Sequence, residues 1–94
     1  MTESPTLDYL VSAYLNEDVF DFYPDVLAAV DDFVKQDPKD VAPLAAEIEH
    51  VLRAHSDQEI DQLLTGYGIG FVPGDLGYRG WLARIADRVK ATAS

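Results

Sequence analysis

Apolar residues recur at spacings of three and four along most of a 94-residue chain, and that period leaves room for little but helices. Leu7, Leu10, Val11, Tyr14 and Leu15 form the first stripe, with Ser4 or Thr6 as its cap and Pro5 near its start. Asn16–Tyr23 then breaks the period, setting Glu17, Asp18 and Asp21 among Val19, Phe20, Phe22 and Tyr23; helix and loop both remain open there. A second helix starts around Pro24–Asp25, buries Val26, Leu27, Val30, Phe33 and Val34, and must stop before Asp37–Pro38, because the residue ahead of proline disfavours helical angles. A third runs from about Val41 to Ala54 behind an Asp40 cap and buries Leu44, Ile48, Val51 and Leu52.

Ser56 with Glu59 has the spacing of a capping box, in which each side chain satisfies the other's backbone N–H. The helix it starts buries Ile60, Leu63 and Leu64 and ends at Gly66/Gly68, where glycine takes the left-handed conformation at low cost. Ile69–Gly77 reads as an ordered loop. A last helix from about Tyr78 to Lys90 buries Trp81, Leu82, Ile85 and Val89 and leaves Arg84 and Arg88 as an exposed pair. The expectation is an all-α, compact single-domain bundle of about five helices with a Gly/Pro-rich loop before the last. One domain spans 1–94, and residues 1–5 and 91–94 are frayed ends.

Composition narrows the function. No cysteine is present, so disulfide frameworks and Cys-ligated zinc or iron–sulfur sites are excluded. Met1–Leu10 has no basic region or long apolar run of a signal peptide, and nothing approaches the roughly 20 apolar residues of a membrane span, so a cytoplasmic location is expected.

Charge is distributed unevenly. Residues 1–50 carry twelve acids and two bases, the whole formal charge of -10, whereas residues 51–94 balance to zero. The first 32 positions hold eight acids and no base. Such a field repels nucleic acid and anionic membranes, and it favours a cationic protein partner. Helix N-termini account for one or two of Glu17, Asp18, Asp21, Asp25, Asp31 and Asp32. The rest repel one another at a cost in stability, so these six are the candidate partner-binding residues.

Other constellations carry less. Glu47 and His50 have the Glu-x-x-His spacing of helical di-metal sites, but no second copy or further carboxylate pair accompanies them. Asp57, Glu59 and Asp61 alternate like calcium ligands, yet Gln62 and Gly68 stand where the loop needs its glycine and its bidentate glutamate. Gly66–Gly70 follows a helix, not a strand, and Phe71 replaces the third glycine of a dinucleotide motif. His55, Ser56 and Asp57 are chain neighbours whose side chains diverge, so they form no triad. Trp81 sits on an apolar stripe and is read as core. No enzyme, cofactor or metal site is expected.

Two stretches bring a family into view. One is Tyr14-Leu15-Asn16-Glu17-Asp18-Val19-Phe20-Asp21-Phe22-Tyr23 with Ala29-Val30 and Phe33; the other is Glu47-Ile48 through Leu63-Leu64, Gly68, Pro73, Gly77 and Trp81-Leu82-Ala83-Arg84-Ile85. Over about Leu10 to Val89 the chain resembles the small all-helical immunity proteins of contact-dependent growth inhibition, departing from them at Val19, where the family usually has tryptophan. The resemblance implies a cytosolic antitoxin that binds the C-terminal toxin domain of a contact-dependent inhibition exoprotein, often a nuclease with a basic cleft. A monomer in a one-to-one complex with that domain is the expectation, although the sequence itself does not set the oligomeric state. The alternative is a small acidic adaptor or regulatory subunit docking on some other basic protein.

Overall fold

The breaks in the apolar stripes fall where proline, glycine and capping side chains start or stop helices. In the computed structural model, which describes residues 4–93, they delimit α1 (Pro5–Tyr14), α2 (Val19–Phe22), α3 (Val26–Gln36), α4 (Val41–Ala54), α5 (Asp57–Tyr67) and α6 (Gly77–Ala93). No strand occurs among the described residues. Of the ends expected to fray, residues 1–3 and 94 lie outside them. The five longer helices are those the periodicity predicts, and the sixth, α2, is a single turn within the segment left open between helix and loop.

Local chemistry explains most boundaries. Asp25 caps α3, its carboxylate accepting from the Ala28 N–H at 2.8 Å. The capping box at α5 is complete: Ser56 Oγ accepts from the Glu59 N–H at 3.2 Å, and Glu59 Oε1 accepts from the Ser56 N–H at 2.7 Å. Gly68, at φ +94°, ends that helix, while Gly66 lies inside it. Asp40 departs from expectation. It makes no side-chain cap bond, because a 3-10 turn over Pro38–Asp40 feeds directly into α4.

The start of α1 is satisfied from elsewhere. Ser4 occupies the N-cap position without a side-chain cap bond. Instead Glu47 Oε1, on α4, accepts from the Thr6 and Leu7 N–H groups at 2.8 and 3.0 Å. Glu47, weighed as a metal ligand on spacing, therefore fixes α1 against α4.

Helix α6 packs against α3, α4 and α5, and α1 packs against the same three helices. Leu7, Leu10, Leu15, Phe33, Leu44, Ile48, Ile60, Leu64, Leu82 and Ile85 fill the space between, each essentially inaccessible to solvent. The Cα radius of gyration is 12.0 Å, about that of a compact domain of this length.

The loop between α5 and α6 is strapped on both sides. Its Phe71 is buried edge-on against Trp81 at 5.5 Å, Trp81 Nε1 donates to the Pro73 carbonyl at 3.1 Å, and Tyr78 Oη donates to the Phe71 carbonyl at 2.7 Å. Gly70 N–H donates to the Leu15 carbonyl at 2.8 Å, and a Cβ at Gly70 would collide with the Asn16–Glu17 backbone. That close approach is a reason for glycine there, and it places the loop under the junction of α1 and α2.

Candidate partner-binding surface

Asn16 builds the junction that presents the first three candidate acids. Its Nδ2 donates to the Ser12 carbonyl at 2.9 Å, its Oδ1 accepts from the Asp18 N–H at 2.9 Å, and its carbonyl accepts from the Val19 N–H at 3.0 Å. The chain leaves α1 and enters α2 without a disordered link. At 100° per residue, one helical turn that turns Val19 inward must turn Asp21 outward and set Phe20 and Phe22 on either flank. Burial follows that geometry: Val19 is 1% exposed, Phe20 57% and Phe22 77%. The structure thus makes α2 a ridge with an acidic crest and two phenyl flanks.

The six acids divide into two groups. Glu17, Asp18 and Asp21 are exposed, and no side-chain hydrogen bond or ion pair engages their carboxylates among the described residues. The other three are committed to the fold. Asp25 caps α3. Asp31, on α3, accepts two hydrogen bonds from Arg88 of α6, from Nε at 2.8 Å and Nη2 at 2.6 Å. These bonds hold the Asp31 carboxyl below its usual range. Asp32 accepts from the Tyr23 hydroxyl and, at 3.4 Å, from Gln36 Nε2.

The Tyr23–Asp32 bond ties the exit of α2 to α3. Donation to the carboxylate, reinforced by desolvation and the nearby negative charge, pushes the Tyr23 hydroxyl up to about 12. Arg88, expected with Arg84 as an exposed basic pair, is exposed but also links α6 to α3 across 57 residues. Arg84 lies over the Trp81 ring, its guanidinium carbon 5.9 Å from the centroid. Lys90 of α6 likewise pairs with Glu49 of α4. The bases of the second half therefore neutralise part of the acidic first half, but they reach Asp31 and Glu49 and not the α2 ridge.

Phe20 and Phe22 are not among the candidate partner-binding residues drawn from the sequence, where they stand as apolar positions in a charged stretch and within the family resemblance. A signal existed. In a helical turn with Val19 at the centre of the buried face, Phe20 and Phe22 fall on its two flanks, the positions nearest solvent after Asp21. A shallow, open depression lined by Ser12, Asn16, Glu17, Tyr67, Gly68 and Ile69 adjoins the junction.

Elsewhere, Glu47 is engaged by α1 and His50 is exposed. No group of three or more His, Cys, Asp and Glu side chains is placed to hold a metal ion among the described residues. Nor is any described helix long and apolar enough to cross a membrane. Among the described residues, this surface sets carboxylates without a side-chain partner beside exposed aromatic area.

Comparison with known proteins adds one finding. Residues 3–89 match the family model described as CdiI immunity protein. No curated protein and no solved structure matches the chain.

Proposed function

The chain belongs to the CdiI immunity protein family, and from that premise we propose that it binds one cognate contact-dependent inhibition toxin domain and neutralises it by contact alone. The family match over nearly the whole chain carries this reading. The toxin's C-terminal domain is the partner, a nuclease or another basic protein, held in a one-to-one complex in the cytoplasm. Support for a basic partner comes from the charge of residues 1–50, of which Glu17, Asp18 and Asp21 are exposed with no side-chain partner among the described residues. Asp25, Asp31 and Asp32 add to the same field while serving their internal partners. A cationic domain approaching this face is steered toward it at long range.

Co-expression with the toxin encoded beside the gene tests the reading. Growth is restored and the two proteins copurify if it is right. A folded chain that neither binds that toxin nor restores growth overturns it.

A further inference from the structure

We infer that the one-turn helix α2 is the anchor of this interaction, with Phe20 and Phe22 entering an apolar recess on a cationic protein surface whose Lys or Arg side chains meet Glu17, Asp18 and Asp21. The inference rests on reading the chain as the inhibitor of a basic toxin domain, and it names the part of the surface that holds the partner.

A single exposed aromatic residue is ordinary on a small protein. Here two phenyl rings project from one four-residue helix, at 57% and 77% exposure, within six positions of three carboxylates that have no side-chain partner among the described residues. The ridge is also held in place. Val19 plugs it into the core, the Asn16 side chain bonds both the end of α1 and the start of the next turn, and Tyr23 secures its exit through Asp32. Rigid aromatic anchors ringed by polar groups are where interface energy concentrates, because little side-chain freedom is lost when they are buried.

Charge selects the occupant. A second copy docking ridge to ridge would bring Glu17, Asp18 and Asp21 against their own equivalents, with no base in the first 34 positions to relieve them. An anionic lipid surface meets the same repulsion. A cationic protein surface alone both accepts the rings and compensates the carboxylates as water leaves. Arginine is the most favourable residue there, since its guanidinium stacks on a phenyl face while pairing with an acid.

Association and dissociation rates of the full chain with the purified toxin domain test the anchor. Phe22→Ala and Phe20→Ala each weaken binding on the order of 30-fold, chiefly through faster dissociation, as expected for hot-spot truncations. Gln58→Ala, on the exposed face of α5, leaves binding unchanged. Combined Glu17→Gln, Asp18→Asn and Asp21→Asn lowers the association rate and flattens its salt dependence. Circular dichroism confirms that each variant is folded, which the outward position of every altered side chain leads one to expect.

Wild-type chain that binds and protects, with Phe20 and Phe22 variants binding within about twofold of it, overturns the anchor and leaves the immunity function standing. Wild-type chain that fails to bind at all overturns both. A wild-type dimer in sedimentation that Phe22→Ala converts to monomer assigns the ridge to self-association and also overturns the inference.

Discussion

Glu47 and Tyr23 show how much one side chain can settle at long range. A helix start leaves several N–H groups unsatisfied, and α1 meets two of them with a carboxylate forty residues away. Glu47→Ala removes that acceptor and the link to α4 together, so urea unfolding should register a loss of about 1–2 kcal/mol, while Glu47→Gln, which keeps a carbonyl acceptor, loses less. Tyr23 makes its own pH signature. Hydrogen bonding to Asp32 holds its hydroxyl protonated in the fold up to about 12, above the ordinary tyrosine value of 10.0. Between those values the folded chain holds a proton that the unfolded chain has released, so stability contributed by this group is intact below pH 10 and is lost as pH rises toward 12. Tyr23→Phe should remove that fraction of the alkaline destabilisation, and absorbance titration of tyrosinate should lose its latest step.

At the scale of elements, the helices longer than one turn were legible because their signals are local. Ser56 and Glu59 are three residues apart, Gly68 sits at the helix end it terminates, and the stripe Leu44, Ile48 and Val51 needs only a period. Helix α2 was not legible, since four residues contain too little of a period to distinguish helix from loop. The candidate surface was legible in its charge and only in part in its chemistry: Asp31 finds Arg88 across 57 residues, a pairing that no spacing rule announces. Gly70 is the element-scale test. Its N–H bonds Leu15, and its missing Cβ lets the loop pass beneath Asn16 and Glu17. Gly70→Ala must push backbone from backbone, so a loss of about 1–3 kcal/mol in stability is expected. The same variant should weaken toxin binding by more than its stability loss explains, because the displaced segment carries α2. Calorimetry of binding at a temperature where the variant remains folded separates the two effects.

For the whole molecule, the uneven charge sets two opposite responses to salt. Among the described residues, the cross-element ion pairs Asp31–Arg88, Glu49–Lys90 and Asp57–Arg79 favour the fold, and each is short-ranged and bonded directly. Against them stand twelve acids and two bases within residues 1–50, whose repulsion acts over longer distances. Raising ionic strength from about 0.01 M to 0.15 M shortens the screening length from about 30 Å to about 8 Å. That change removes most of the diffuse repulsion and little of the contact attraction, since contacting partners lie well inside either length. The melting temperature of the free chain should therefore rise over this interval at neutral pH. Toxin association should slow over the same interval, because the long-range field that strains the isolated fold is the field that steers a cationic partner. Measuring both on one preparation makes the test exacting. A melting temperature that falls with salt would mean that the three pairs outweigh the acidic half, and the excess negative charge would then need no partner to account for it.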